Sequence, residues 1–463
     1  MTRALALLMV ALLACACARV APPALYRPPL AADFSNAPAT EQEPVAQFWR
    51  RFQDPELDAL VARALAANAD VRIAAASLAE ARALARFADA RAAPTVGLAL
   101  AAARVRGPDS ENVARTGSAI GVDLDMRWEA DLFGAIRGER HAAAAEALAA
   151  AAQWRGVQVS VAAEVARNYF ELRGQQEQLR VAVAALDTQR AALSLVDARL
   201  QAGRGNAFDS ERARALVLST EASVPALEAT LARSRYRLAV LCGQLPAALD
   251  AQLAAARPLP GLAPSALDAI GSPASLLRRR PDVAAAEQQL AAAAERAGVA
   301  RSALFPQLSL GGVIGLNAGS VGHLGDANAY AYNLGAQLLW SLLDFGRIRA
   351  QIAAASARGD AAAAQYEKVV LGALEETEGA LASYTRNQRQ SASLYGAAQS
   401  AGRAAELARA RFGAGSSDFL AVLDAERESL AARDRLAQAN TVGATSLVAV
   451  YKALAGGWKE DAP

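Results

Sequence analysis

The clearest pattern in the chain is a strict alternation of apolar and polar residues over residues 119–129. The apolar positions are Ile120, Val122, Leu124, Met126 and Trp128, and the positions between them are Gly121, Asp123, Asp125, Arg127 and Glu129. A period of two residues places these two sets on opposite faces of a strand. The pattern therefore predicts an extended segment with one apolar and one polar face.

A second segment repeats this alternation. Its apolar positions are Tyr332, Leu334, Ala336, Leu338 and Trp340, opposite Asn333, Gly335 and Gln337. Apolar periods also predict preceding strands at about 95–105 and 307–317, which gives two hairpins with loops near 107–116 and 318–329. Each strand has about the length that crosses a bilayer at a tilt. Trp128 and Trp340 end their strands, as is typical of the boundary between membrane and water. A half-buried sheet of a soluble protein is the alternative.

Helical periods fill most of the remaining chain. Residues 70–91 read as an alanine-rich helix that Pro94 ends, and residues 135–203 contain no proline. A single helix over the second range is about 100 Å long at ~1.5 Å per residue. Gly203 and Gly205 are predicted to end this helix, and a new helix is predicted to start at Asn206 or Asp209. Later in the chain, Gly413 and Gly415 are predicted to end a second long helix, and the next helix to start at Ser417 or Asp418. Two long helical hairpins result.

The chain is an internal duplication with an offset of 212 residues. "WEADLFGAIR" at 128–137 aligns with "WSLLDFGRIR" at 340–349, and "LAVLCG" at 238–243 aligns with "YKALAG" at 451–456 if one residue is inserted. We expect a first repeat over 55–258, a second repeat over 259–456 and a tail over 457–463.

The triplet Asp344, Phe345, Gly346 also occurs in protein kinases, where the acid binds magnesium. In the first repeat the acid is Asp131, which stands one position earlier than Asp344 in the alignment. A metal ligand cannot shift in this way and keep its geometry, and the other kinase motifs are absent from the sequence. The duplication therefore argues against a nucleotide site.

Composition narrows the function further. Hydrophobic residues make up 54% of the 463 residues but aromatic residues only 5%, which favours closely packed alanine-rich helices. Lys and Arg number 48 and Asp and Glu 46, so no nucleic-acid partner is indicated. The two histidines, His141 and His323, make a His/Cys metal site improbable, and no nucleophile and base pair suggests an enzyme. We expect no cofactor and no catalysis.

The first residues resemble an export signal. Arg3 precedes the apolar stretch 4–13, and "LLAC" resembles a bacterial lipobox. We expect a signal peptide over 1–14, an acylated Cys15 and an extended lipid-anchored segment over 15–54. Cys17 is the less favoured acceptor, and an ordinary signal peptide is the alternative. Later in the chain no apolar run reaches about 18 residues, so no transmembrane helix is expected.

The predicted strands require partners. Four strands cannot close on themselves, since common outer-membrane barrels use at least ~8, and open strand edges are costly in lipid. Identical chains can close them into a ring around water. The polar residues Asp123, Asp125, Arg127 and Gln337 would then line the lumen, and the Leu and Ile face would meet lipid.

Several stretches carry a family resemblance. They are "FWRRFQDPELDALVARALAAN" (48–68), "SPASLLRRRPDVAAAEQQLAAA" (272–293), "ALFPQLSL" (303–310), "WSLLDFGRIRAQI" (340–352), "VLDAERESLAAR" (422–433) and "VAVYKALAGGW" (448–458). The chain resembles the outer-membrane factor family, the TolC-like exit ducts of tripartite efflux pumps, and in particular its lipoprotein branch. The resemblance covers nearly the whole chain.

This resemblance implies a mainly α fold with a transmembrane β part. Four strands per chain would enter a shared trimeric β-barrel, continued by a long periplasmic α-helical barrel. It implies a palmitate-bearing lipoprotein in the outer membrane of a Gram-negative bacterium. The implied partners are outer-membrane lipid, two further copies of the chain, a periplasmic adaptor and an inner-membrane pump, often proton-driven. Drugs are the expected cargo, with metal efflux or type I secretion as alternatives. A lipid-anchored coiled-coil stalk is the alternative from another class.

The resemblance also implies a constriction at the periplasmic tip. Its residues here would be Leu420 and Asp424, with Ala421 where some members carry a second acid. The alternative for Asp424 is a surface acid paired with Arg427. In the best-known branch a Tyr and an Arg lock the tip, the former against an Asp. In this chain Phe412 stands at the position of the Tyr, Ser417 at that of the Arg, and Asp209 at that of the Asp. Phe412 and Ser417 cannot form the same lock. Closure is therefore expected to rely on other contacts around Asp424 and Arg199 or Arg411.

Overall fold

The computed structural model describes residues 25–42, 47–108, 114–259 and 267–455. The predicted signal peptide, Cys15, Cys17 and the tail lie outside these residues.

The first repeat consists of paired helices, a hairpin and a long helical hairpin. Its elements are α1 (Pro55–Ala67), α2 (Ala69–Ala90), β1 (Thr95–Pro108), β2 (Ala114–Ala130), α3 (Ala135–Gln201) and α4 (Ala207–Leu241). The predicted strands and the uninterrupted long helix are confirmed. The two strands extend further toward the loop that joins them than the alternation indicated.

The second repeat has the same order. Its elements are α5 (Pro273–Arg279), α6 (Pro281–Ser302), β3 (Gln307–Ala318), β4 (Tyr330–Leu339), α7 (Arg347–Gly413) and α8 (Phe419–Ala453). Helices α3 and α7 each contain 67 residues, and α4 and α8 each contain 35. Both pairs start and end 212 residues apart, which confirms the duplication. Among the described residues, no helix combines the length and hydropathy that a membrane span requires.

The single inserted residue that we expected when aligning the ends of the two repeats is wrong. Gly243 and Ala455 follow α4 and α8, and both adopt left-handed backbone angles, with φ of 69° and 54°. These two residues are 212 positions apart, so the offset does not change. The apparent shift came from aligning short apolar strings without their helix ends.

The strands form one antiparallel sheet in the order β1-β2-β3-β4. Leu98 faces Leu124, Leu124 faces Ile314, and Leu310 faces Ala336. Even-numbered residues therefore share one face across the whole sheet, and odd-numbered residues share the other. Strands β1 and β4 are the two edges.

The described residues fall into two compact units, and each unit combines segments of both repeats. One contains Ser77–Ala151 and Ala285–Lys368, including the sheet, together with the described part of Met1–Arg27. The other contains the described residues of Pro28–Ala76, Ala152–Ala284 and Val369–Pro463.

Two of the stretches that carry the family resemblance, 48–68 and 448–458, contribute residues to the core of this second unit. Phe48 stacks on Tyr451 with ring centroids 5.3 Å apart, and Phe52 meets Phe170 edge-on at 4.7 Å. The buried guanidinium of Arg173 pairs with the carboxylate of Glu56 in the same core. These contacts join the N-terminal segment to the long helices.

Equivalent side chains cap the returning helix of each repeat. Asn68 Nδ2 donates to the Leu241 carbonyl at 2.9 Å, and Arg280 Nη1 donates to the Ala453 carbonyl at 2.7 Å. Both donors are 212 residues apart, as are both acceptors. The duplication thus extends to the capping of exposed helix ends.

Asp131 and Asp344, which stand one position apart when the repeats are aligned, have the same structural role. Asp131 accepts hydrogen bonds from the backbone N–H groups of Ile136 and Arg137, and Asp344 accepts from those of Gly346 and Ile348. Each carboxylate therefore satisfies the free N–H groups at the start of a long helix. The N–H of Ile348 lowers the pKa of Asp344 below its usual range. A shift of one residue is tolerated because either position reaches the helix end.

Candidate functional site

The odd-numbered face of the sheet, which we call the polar face, carries all four predicted lumen residues. Asp123, Asp125 and Arg127 lie on β2 and Gln337 on β4. Arg127 Nε is 3.8 Å from Asp125 Oδ2; the Arg127 side chain is largely exposed and the Asp125 side chain is partly buried. Asp123 Oδ1 accepts a hydrogen bond of 3.0 Å from Asn317 Nδ2.

Glycines on the neighbouring strands make room for these side chains. A Cβ atom at Gly97 would lie 2.7 Å from Asp125 Oδ1, and one at Gly315 would lie 2.1 Å from Asp123 Oδ1. The carboxylates therefore lie flat over the neighbouring backbone. Glycine is needed here for close approach, not for its turn conformation.

Sequence reasoning missed Asn317 and Ser309 on this face. Both occupy odd positions of β3, so extending the alternation to their strand would have identified them. The contact of Asn317 with Asp123 depends on the pairing of β2 with β3, which links residues almost 200 positions apart. Ser309 instead donates to the Gln337 carbonyl across the pairing of β3 with β4.

The even-numbered face is mostly apolar and is exposed on the edge strands of the single chain; toward the loop end of the first hairpin it carries Arg104, Arg106, Thr116 and Ser118. Its exposed members on the edge strands include Leu98, Leu100, Leu334 and Leu338. An exposed apolar face of this extent is typical of a surface that meets lipid or another protein.

The two predicted boundary tryptophans each make one further contact. Trp128 Nε1 donates to the Ala92 carbonyl at 2.9 Å, and Trp340 Nε1 donates to the Leu304 carbonyl at 3.0 Å. Both carbonyls lie just beyond the end of the helix that precedes each hairpin. Trp128 lies in β2 and Trp340 directly follows β4, so each side chain joins a strand end to a helix end. The sequence did not predict this role.

The turns at 202–206 and 414–418, with the helix ends on either side, form what we call the tip. Gly203 and Gly415 adopt the left-handed conformation, with φ of 70° and 74°. Asn206 caps α4 and Asp418 caps α8, which decides between the predicted starts. Asp209 instead lies in the first turn of α4, where its carboxylate accepts from Asn206 Nδ2 at 2.9 Å.

Within the tip, Arg199 joins the end of α3 in the first repeat to the end of α7 in the second. Its Nη2 donates to the carbonyls of Phe412 and Gly413 at 3.1 Å and 3.3 Å. Its guanidinium also lies 4.2 Å from the centroid of the Phe412 ring. Phe412 thus contributes its carbonyl and its ring face, although it lacks the hydroxyl of a tyrosine. Ser417 Oγ is buried and has no hydrogen-bond partner among the described residues.

The predicted constriction residues lie on the exposed side of α8. Leu420 is 38% exposed in the first turn, and Asp424 is exposed one turn later. In the described part of the chain, no ion pair joins Asp424 to Arg427. The residues 212 positions earlier are Phe208 and Arg212, whose guanidinium lies 5.0 Å from the Phe208 ring.

Residues 60–244 and 273–456 match the sequence model of a family described as outer membrane efflux protein. The chain belongs to this outer membrane efflux protein family. The two matched ranges lie one in each repeat of the efflux protein.

Individual relatives agree with the assignment. The pyoverdine export outer membrane protein OpmQ of Pseudomonas putida is 32% identical over 472 residues, covering 100% of this chain and 99% of OpmQ. The outer membrane protein OprJ of Pseudomonas aeruginosa is 32% identical, with 98% and 95% covered. The structure of the outer-membrane channel OprN is similar with a TM-score of 0.88 and 37% identity, covering 95% and 99%. The efflux protein is accordingly an exit channel located in the outer membrane.

A buried carboxylate lies behind the tip of the efflux protein. Glu426 Oε1 is 3.2 Å from Arg409 Nε, and Glu426 shares a small pocket with Gln189, Phe419 and Leu423. Burial raises the pKa of Glu426, and the nearby Arg409 opposes this shift. Asp424 and Glu426 therefore differ in surroundings although only one residue separates them. No group of three or more potential metal ligands occurs among the described residues.

Proposed function

We propose that three copies of this chain close their strands into one barrel and conduct small molecules passively, without chemistry of their own. The observation that supports this most directly is the four-stranded sheet, whose edge strands β1 and β4 are exposed and whose two faces differ in polarity. In lipid an open edge leaves backbone groups without partners. Further copies supply those partners.

In this arrangement the polar face lines water and the apolar face meets lipid. Asp123, Asp125, Arg127 and Gln337 line the lumen. The glycines beside them keep the side chains close to the wall, which favours a wide passage. Trp128 and Trp340 mark the periplasmic boundary of the membrane.

At the tip we assign Leu420 and Asp424 to the narrowest rings. Three carboxylates at one height attract cations, and three leucine side chains can exclude water from a closed passage. The exposure of both side chains and the lack of an ion pair for Asp424 among the described residues support this assignment. Arg199 holds the tip together within each copy.

The partners follow from the class of system. Relatives named as pyoverdine export and toluene efflux proteins belong to export systems. The channel would receive its cargo from an inner-membrane pump, proton-driven in the favoured case, through a periplasmic adaptor. We propose drug-like small molecules as cargo. A lipid on Cys15 would anchor each copy to the outer membrane. The two repeats, 55–258 and 259–456, would be equivalent parts of the wall.

The test compares ion selectivity of two variants in planar lipid bilayers. Asp424→Asn removes the proposed ring of charge, so we expect a lower preference for cations under a salt gradient. Glu221→Gln is the matched control, because Arg190 lies 3.1 Å from Glu221 and already balances its charge. An unchanged reversal potential for Asp424→Asn would count against the assignment of the constriction. A protein that passes no current at all would count against the channel.

A further inference from the structure

The internal repeat gives a means of predicting contacts between copies. Leu98 pairs with Leu124 in the first hairpin. Adding 212 to each number gives Leu310 and Ala336, which pair in the second hairpin. The two hairpins therefore have the same register, and one can be exchanged for the other without shifting a residue.

A single junction, between β2 and β3, joins the hairpins within the chain. Met126 faces Gly312 at this junction, and Leu124 faces Ile314. In a closed ring the other junction must join β4 of one copy to β1 of the next. If the repeats are equivalent in the ring, this second junction has the register of the first.

We propose that β4 pairs antiparallel with β1 of a second copy, with Leu338 opposite Leu100 and Ala336 opposite Ala102. The positions follow by adding 212 to the β2 residue and subtracting 212 from the β3 residue of each observed pair. The inference rests on the proposed ring of identical copies and adds its register.

The proposed register agrees with the chemistry of both edges. It places even-numbered residues of β4 beside even-numbered residues of β1, so the apolar face continues through Leu338 and Leu100. On the other face, Gln337 would lie opposite the small side chain of Ala101. A shift of one residue would place the leucines against the polar face and interrupt both surfaces.

Phe345 supports the same junction independently of the strands. Its equivalent in the first repeat, Phe133, stacks on Phe305 of the second repeat with ring centroids 4.8 Å apart. Phe345 is instead fully exposed, at 101%, although its backbone has the unusual φ of 51°. The residue 212 positions before Phe305 is Ala93. The next copy would therefore cover Phe345 with the segment around Ala93.

The experiment is disulfide cross-linking in isolated outer membranes. The background carries Cys242→Ala and Cys17→Ser, since Cys242 is a free buried thiol. Leu338→Cys and Leu100→Cys are then combined in one chain and oxidised. Facing residues of an antiparallel pair have Cα atoms about 4.5–5.5 Å apart, within the range of a disulfide. We expect covalent dimers and trimers on denaturing gels from the double variant and none from either single variant.

Matched pairs test the register itself. Leu338→Cys is combined with Leu98→Cys or Ala102→Cys, which represent shifts of two residues, or with Ala101→Cys on the opposite face. Diagonal neighbours are about 7–8 Å apart, and the side chain at position 101 lies on the other face of the sheet, so all three pairs should cross-link at least about tenfold less. An in-chain pair, Leu124→Cys with Ile314→Cys, reports by a mobility shift that the sheet has folded.

The outcomes separate the two proposals. Stronger cross-linking at Leu98 or Ala102 than at Leu100 would overturn the register and leave the ring intact. No cross-link from any β4 and β1 pair, with the in-chain disulfide formed, would overturn both the register and the ring.

Discussion

The contact of Arg199 at the tip gives the sharpest prediction. Arg199→Ala removes two hydrogen bonds from a charged donor, at 3.1 Å and 3.3 Å, and the stacking on Phe412 at 4.2 Å. Hydrogen bonds to charged groups contribute about 1.5–3 kcal/mol and an exposed cation–π contact about 0.5–1 kcal/mol. Because Arg199 is only partly buried, water replaces part of these interactions in the variant. We therefore expect the closed tip to lose about 2 kcal/mol of stability per chain.

For the tip of one chain, a loss of about 2 kcal/mol shifts the equilibrium between its closed and open states by about 30-fold. The assay is the open probability of single channels in planar bilayers. Arg199→Lys should recover part of the closed state, because it keeps the charge near the end of α7 but not the stacked planar group. Arg204→Ala is the control, since Arg204 lies exposed in the turn that directly follows α3.

Equal open probabilities for Arg199→Ala and the unmodified protein would refute this reasoning, provided that the variant still assembles. An equally large effect of Arg204→Ala would also refute it. That outcome would show that the net positive charge of the turn matters and that the bonds to Phe412 and Gly413 do not.

Three further changes test other parts of the structure. Gly174→Ala should lower the apparent midpoint of thermal unfolding, because the new Cβ would lie 1.9 Å from Thr441 Oγ1 and overpacking costs about 1–3 kcal/mol. Adding Thr441→Ala should recover part of this loss. Gly372→Ala is the control and should not lower the midpoint, because its new Cβ would meet open space. Trp128→Phe should destabilise assembled protein in urea by about 1 kcal/mol, the value of one lost hydrogen bond. Burial raises the pKa of Glu426 in the folded protein. The contribution of this group to the free energy of unfolding is therefore complete below the pKa of the unfolded chain, about 4.3, and is lost as the pH rises through the folded pKa. Glu426→Gln should therefore weaken the pH dependence of hydrogen exchange in the first turns of α8.

Each of these has a clear contrary result. A Gly174→Ala protein as stable as its parent would show that α3 and α8 can separate there at little cost. A Trp128→Phe protein of unchanged stability would assign the side chain to the membrane boundary alone. If Glu426→Gln follows the same pH dependence as the parent, another titrating group controls the tip.

The sequence predicted the elements well because their signals are local. The alternation at 119–129 and the absence of proline over 135–203 each fix a periodicity within one segment. The glycines at the tip are also local signals, since Gly203 and Gly415 supply backbone angles that other residues rarely adopt. The duplication strengthened every assignment by providing it twice.

The contacts that give the site its detail could not be predicted in this way. Arg199 meets Phe412, which is 213 residues away, and Asp123 meets Asn317 across a strand junction. Such pairs depend on the packing of distant segments. The role of Asp131 and Asp344 was missed for another reason: alignment compares positions, whereas capping requires only that a carboxylate reaches the helix end.

We propose that identical copies complete the sheet, because the four strands of one chain cannot close on themselves. Native mass spectrometry of the detergent-extracted protein measures this directly by counting the chains in each particle. We expect three chains per particle. A particle that contains a single folded chain would contradict the account.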